Sequence, residues 1–134
     1  MKKIVFVCLG NICRSPMAEF VMKSLTDQLK IESRATSSWE HGNPIHRGTQ
    51  AIFKKYAIAY DRDKTSQQIS PADFADFDYI IGMDESNVRD LKRMAPEDFQ
   101  HKIYQFEEES VPDPWYTGDF DQTYDLVLAG CKKW

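Results

Sequence analysis

The chain opens on a continuous apolar run, Ile4-Val5-Phe6-Val7, rich in β-branched residues and closed by Cys8. A run without polar alternation suits a strand buried on both faces, as in a parallel sheet. Residues 9–15 then read as a turn, and a helical pattern begins at Pro16. Proline is favoured there because the N–H it lacks has no partner in the first turn of a helix. Met17, Phe20, Val21, Leu25 and Leu29 recur at helical spacing and predict one apolar face. Residues 35–38 are a candidate second strand. His41-Gly42-Asn43-Pro44 reads as a loop, and residues 48–56 as a helix with Ile52, Phe53 and Tyr56 turned inward. The polar stretch 64–70 reads as irregular, and Ser70-Pro71-Ala72-Asp73 as a helix start. Residues 77–81 predict a further strand, followed by a helix carrying Val88, Leu91 and Met94. Residues 102–106 predict a last strand, and 107–118 a long loop with Pro112 and Pro114. A closing helix over 119–133 presents Phe120, Tyr124, Val127, Leu128 and Cys131 on its apolar side. Strands alternating with helices predict an α/β fold, a parallel sheet covered on both faces. Ligands in such folds bind outside the carboxyl ends of the strands. That places the loops after Val7 and after Phe106 on one edge.

Length and composition narrow the classes. A chain of 134 residues is one domain with enough material for a core. The net charge is −4, without the basic excess of a nucleic-acid binder. The three cysteines, Cys8, Cys13 and Cys131, are odd in number and sparse, which argues against a secreted disulfide framework and for a reducing, cytoplasmic setting. The apolar run at the start is too short for a signal sequence, and no stretch approaches membrane length.

The chemistry concentrates in Val7-Cys8-Leu9-Gly10-Asn11-Ile12-Cys13-Arg14-Ser15-Pro16. Cysteine, five residues, then Arg-Ser lie between a buried strand and a helix start. Successive backbone N–H groups in a tight loop make an anion-binding concavity, and a helix N-terminus adds free N–H groups and positive potential. Gly10 and Asn11 tolerate the left-handed backbone angles a tight cradle demands. Arg14 brings a planar fork able to hold two phosphate oxygens. Cys8 at the base would be favoured as thiolate by these groups, and Ser15 could donate a hydrogen bond to it.

The same segment, continued through Met17-Ala18-Glu19, closely resembles the low-molecular-weight protein tyrosine phosphatases. The likeness runs on through residues 39–44, through 78–91 with Met83-Asp84-Glu85-Ser86-Asn87, and through Val111-Pro112-Asp113-Pro114-Trp115-Tyr116. It implies a four-stranded parallel twisted sheet flanked by helices, with the phosphate loop after the first strand. It also implies a cysteinyl-phosphate intermediate and neither metal nor cofactor. Cys8 is then the expected nucleophile, Arg14 the phosphate clamp and Asp113 the general acid. The flanking prolines would hold the Asp113 carboxyl in place, whereas Glu107, Glu108 and Glu109 lack that constraint. Leu9, Gly10, Asn11, Ile12, Cys13 and Ser15 are the expected phosphate-binding residues. Trp39 and Tyr116 match the family's aromatic walls, and Trp115 lies beside them. Asn11 and Ser33 match positions that brace the loop. The family usually has a histidine where this chain has Lys64, so the brace differs on that side. Cys13 matches a redox partner for Cys8, and Cys131 reads as core. Asp84 reads first as a helix cap and second as a contact to the phosphate loop. His41 is a candidate substrate contact in the wall loop, and no histidine has a catalytic place. Family members often run somewhat longer, so the final helix, ending near Trp134, is expected to be short or trimmed.

The expected substrate is a phosphotyrosine-bearing protein, with inorganic phosphate as product, no nucleic acid, no membrane, and a monomer or weak dimer as the working form. Three rivals fit less well. An arsenate reductase needs further cysteines to pass on a disulfide. A phosphocysteine carrier of a sugar uptake system must keep its phosphate, against the hydrolytic Asp113. An idle phosphotyrosine-binding module would not need every reacting group to be present.

Overall fold

In the computed structural model, which describes all 134 residues, Lys2–Cys8 form β1, followed by α1 (Arg14–Leu25), β2 (Leu29–Ala35) and α2 (Arg47–Lys55). Then come α3 (Pro71–Asp76), β3 (Tyr79–Gly82), α4 (Glu85–Met94), a 3-10 turn (Glu97–Lys102), β4 (Ile103–Gln105), α5 (Pro114–Thr117) and α6 (Phe120–Lys133). The four strands are parallel in the order β2-β1-β3-β4. Successive side chains of β1 explain the apolar run: Ile4, Phe6 and Cys8 enter one core, Val5 and Val7 the other. The first core is closed by α1, α2 and α6, the second by α3 and α4. Because the chain steps from β1 outward to β2 and then back across to β3, the strand order reverses at the end of β1, where α/β sheets open a crevice.

Several expectations are corrected. Leu29 is not on the first helix but opens β2. The helix stops at Leu25, Thr26 turns extended, and the Thr26 hydroxyl accepts from the Gln28 amide at 3.1 Å. The four-residue step from Leu25 to Leu29 copies helical spacing by coincidence. Residues 35–38 are not the second strand, since β2 ends at Ala35. Its true pattern alternates, with Ile31, Ser33 and Ala35 buried, and the serine masks the period. The burial of α1 also exceeds one face. Every residue from Arg14 to Met22 is buried, because the helix lies between the sheet and α6. The stretch 107–118 is not all loop, because Asp113 caps a short helix, α5, that Pro114 opens. Tyr56 ends α2 half-exposed, stacked on Tyr124, and not turned inward. The remaining helices and strands fall within a few residues of their expected places, and Ser70 with Asp73 forms a complete capping box.

Close approach of α6 to the sheet depends on Gly130. A Cβ there would stand 2.2 Å from Cε2 of Phe106, a buried ring that packs edge-on against Phe6 at 5.8 Å. Overpacking costs about 1–3 kcal/mol, more than the roughly 1 kcal/mol that alanine gains over glycine inside a helix. Gly130→Ala is therefore expected to lower the urea midpoint at unchanged slope. A midpoint equal to wild type would show that Phe106 is free to move aside.

Candidate active site

All four strand ends contribute to one crevice. The loop after β1 (residues 9–13) wraps around the Cys8 sulfur, and its carbonyls are tied away from the centre. Cys8 O accepts from the Thr36 amide (2.9 Å), and Leu9 O from the Ser37 amide and hydroxyl (3.2 and 2.8 Å). Gly10 O accepts from the Ser66 hydroxyl at 2.7 Å, and Ile12 O from the His46 amide at 2.8 Å. Cys13 O accepts from the Met17 amide and the Thr49 hydroxyl, both at 3.2 Å. With carbonyls held outward, amides are left to face inward. The Asn11 amide lies 3.3 Å from Cys8 Sγ. The amides of Gly10, Ile12, Cys13 and Arg14 have no acceptor within the protein. Buried N–H groups are almost always paired, so this ring is built for an anion.

Asn11 has the left-handed φ of +55° that the tight cradle was expected to need, but Gly10 does not. Glycine at that position serves close approach instead, since a Cβ would come within 3.3 Å of Glu40 Cγ. Beneath the loop, Asn11 Nδ2 donates to the Ser15 hydroxyl at 2.8 Å and to the Ser33 hydroxyl at 3.0 Å. Ser15 Oγ stands 3.1 Å from Cys8 Sγ. Asn11 and Ser15 thus support the cradle and the sulfur from behind, with side chains out of reach of the pocket space.

Arg14, which opens α1 directly after the loop, is 3% exposed. Its Nη1 donates to Asp84 Oδ2 at 2.6 Å and to Val111 O at 2.9 Å, and its Nη2 to Asp113 Oδ2 at 3.4 Å. Burial opposes its charge, but Cys8, Asp84 and Asp113 together outweigh burial and hold the guanidinium above its ordinary pKa. Asp84 fulfils both of its readings, because its Oδ1 caps α4 through the Asn87 amide at 2.7 Å. Asp113 is placed by the Val111 amide bonding to Met83 O at 3.0 Å, which draws residues 111–113 over the end of β3. Its Oδ1 accepts from the Trp115 amide at 3.0 Å as the cap of α5, with Pro114 in the first turn.

The pocket encloses about 130 Å³. Cys8, Leu9, Gly10, Ile12 and Cys13 form its floor and one side, and Trp39, Glu40, Asp113, Trp115 and Tyr116 its rim. Trp39 and Tyr116 are both 77% exposed. Trp115 is backed by His46, edge-on at 5.6 Å, and His46 stacks on Phe120 at 5.2 Å. His46 therefore links the loop after β1, α2 and the loop that carries Asp113. No local motif flags this residue, since its partners lie far off in sequence. His41 does not line the pocket. Glu40, which does, carries no local signal in the sequence beside that of its neighbour Trp39.

The model of the low molecular weight phosphotyrosine protein phosphatase family matches residues 3–134. The chain belongs to that family. This phosphatase is 45% identical to the low molecular weight protein-tyrosine-phosphatase PtpA of Staphylococcus aureus, over 99% of the chain and 91% of the relative. The corresponding protein of Staphylococcus epidermidis is 44% identical over the same shares. Among solved structures, the low molecular weight protein tyrosine phosphatase SP-PTP of Streptococcus pyogenes is 63% identical, with a TM-score of 0.98 over 100% of the chain and 91% of that protein. The phosphatase is a phosphoric monoester hydrolase, and its four-stranded parallel sheet is the fold of these relatives. No helix is long and apolar enough to cross a membrane.

Its three thiols are distinct in environment. Burial, then the charges of Cys8 and Asp113, push the Cys13 thiol far up, and burial pushes Cys131 to about 12. Iodoacetamide near neutral pH is expected to label Cys8 first, read by peptide mass mapping. Equal labelling of Cys13 would show that the cradle does not single out one sulfur.

Proposed function

We propose that Cys8 is the nucleophile of this tyrosine phosphatase, with Arg14 and the loop amides binding the phosphoryl group and Asp113 as acid and then base. The observation that carries this reading is the ring of acceptor-free amides around Cys8 Sγ, with Arg14 bonded to Asp113 beside it. Amides and guanidinium hold the equatorial oxygens, where charge is spread in the transition state, and sulfur lies in line with the ester oxygen. The S–P bond forms as the P–O bond breaks, and the electron pair leaves on the phenolic oxygen. Phosphate takes over Arg14 Nη2 and frees the Asp113 carboxyl to give that oxygen its proton. A water then loses its proton to Asp113 and attacks phosphorus. The thiolate departs with the Ser15 hydroxyl at 3.1 Å to receive its charge, and inorganic phosphate is released.

Pocket shape supports an aryl substrate. Ile12 and the rim aromatics offer apolar surface to a phenyl ring. The rim also stands above the sulfur, so a short alkyl phosphate would leave the walls uncovered. The substrate in this reading is phosphotyrosine displayed on a protein surface, and the exposed Trp39, Trp115 and Tyr116 meet the flanking chain.

Cys8→Ser is expected to lower turnover of an aryl phosphate by at least about 10⁴-fold, because the weak hydroxyl nucleophile has no adjacent base. Phosphate binding, followed calorimetrically, should survive. Substantial activity in that variant would remove the sulfur from the mechanism. Asp113→Ala is expected to slow hydrolysis by about 10²–10⁴-fold for poor leaving groups and far less for good ones. A loss independent of the leaving group would place the acid elsewhere.

A further inference from the structure

The Asp113 carboxyl has two hydrogen-bond partners, and binding of substrate takes one of them away. Its Oδ2 meets Arg14 Nη2 at 3.4 Å, and its Oδ1 accepts from the Trp115 amide at 3.0 Å. In the reaction described above, the phosphoryl group takes over Arg14 Nη2. From then on the Trp115 amide is the remaining bond on the carboxyl, so the aim of the proton depends on where Trp115 stands. A misplacement of about 1 Å at a reacting group can cost about a hundredfold in rate.

Trp115 belongs to a weakly anchored element. Of the four residues of α5, only Pro114 is buried. The Tyr116 and Thr117 amides bond to Asp113 O at 3.0 and 3.2 Å, and the Gly118 amide to Pro114 O at 2.8 Å, so these bonds stay within the turn. A single helical turn has little stability of its own. Trp115 is 57% exposed and meets one other ring, that of His46, edge-on with centroids 5.6 Å apart.

His46, by contrast, is fixed from three directions. Its amide donates to Ile12 O at 2.8 Å, in the loop around Cys8. Its Nδ1 accepts from the Gly48 amide at 2.9 Å, as the cap of α2. Its ring stacks on Phe120 at 5.2 Å with the planes 16° apart. Phe120 can stand there because residue 48 is glycine, where a Cβ would lie 2.4 Å from Phe120 Cζ. The imidazole is thus set by the phosphate loop, by α2 and by the first turn of α6. It offers a fixed surface to a tryptophan that is more than half exposed, in the edge-to-face arrangement aromatic pairs prefer.

We propose that His46 is a positioning residue for the general acid: its ring holds Trp115, whose amide aims the Asp113 carboxyl at the leaving oxygen once phosphate has claimed Arg14. The path runs from the His46 ring to the Trp115 ring, and from the Trp115 amide to Asp113 Oδ1. This role rests on Asp113 being the acid.

The test uses His46→Asn, His46→Phe, Asp113→Ala and the His46→Asn/Asp113→Ala double variant in the full chain. The readout is kcat/KM for phenyl phosphate, a poor leaving group, and for p-nitrophenyl phosphate, a good one. Asparagine keeps a capping oxygen for the Gly48 amide and the backbone bond to Ile12, but removes the ring. His46→Asn is expected to lower kcat/KM for phenyl phosphate about three- to tenfold, the size of one aromatic pair. Its kcat/KM for p-nitrophenyl phosphate should stay within about twofold of wild type, because that oxygen leaves with little need of a proton. Competitive inhibition by inorganic phosphate, which reads the cradle, should not change. His46→Phe loses the cap but keeps a ring between Trp115 and Phe120, so it should recover most of the phenyl phosphate rate while its urea midpoint falls. In the Asp113→Ala background, His46→Asn should cost nothing more, because its effect passes through a carboxyl that is gone. A purely structural His46 would give the reverse order, with asparagine tolerated and phenylalanine not. That order, equal losses on both substrates, or losses that multiply in the double variant would overturn the proposal. If Asp113→Ala itself treats both substrates alike, the acid assignment falls and the role of His46 with it. A leaving-group-dependent loss in Asp113→Ala beside wild-type rates in His46→Asn would sink the role of His46 alone.

Discussion

The arrangement depends on where six consecutive carbonyls point. Left alone, residues 8–13 would satisfy their backbone groups among themselves or with water. Here five of the six carbonyls, those of Cys8, Leu9, Gly10, Ile12 and Cys13, are claimed by donors from the loop after β2, from residue 66, from His46 and from α1 and α2. Once the oxygens are taken outward, the hydrogens converge on one point above Cys8. The cradle is therefore a property of its surroundings as much as of its own residues. Thr36, Ser37, His46, Thr49 and Ser66 are its outer wall, although none reaches the pocket floor.

Charge follows the same logic of fixed partners. A guanidinium that is 3% exposed would be costly alone. Arg14 is stabilised by Asp84 and by Val111 O, which come from the ends of β3 and the loop after β4, and it reaches Asp113 with its second nitrogen. One arginine thus gathers three strand ends. The crevice exists because the strand order reverses at β1, which leaves β2 on one side and β3 on the other, with room between their following loops. On the opposite side of the cradle the compensation runs through Glu19 and Lys64, so the sulfur lies between two sets of buried, paired charges.

Much of this was readable in the residues. The Cys8-to-Arg14 spacing and the unbroken apolar run before it announced an anion loop on a buried strand, since each is required by the chemistry in a contiguous segment. The Pro112-Asp113-Pro114 triplet was visible for the same reason, and Ser70 with Asp73 announced a cap. Leu29 misled because helical spacing persisted across a turn made by the Thr26 hydroxyl. The strand at Leu29–Ala35 was hidden by Ser33, a buried polar residue at a position where the pattern asks for an apolar one. That serine is in the core because Glu19 and Asn11 satisfy it there.

The sequence by itself determined the strand–loop–helix that presents Cys8 and Arg14, the alternation that makes the sheet parallel, and the local cap that Asp113 makes on Trp115, because these rest on neighbours within a few residues. Only the tertiary structure decided that Asp84 grips Arg14 while capping α4, that His46 backs Trp115, and that Lys64 meets Glu19 behind the loop. Those pairs span separations of 45 to 70 residues in the chain: Glu19 to Lys64, His46 to Trp115 and Arg14 to Asp84. Local pattern carries no record of such distances. They are set by the order in which four strands lie side by side and by the need to leave no buried charge without a partner.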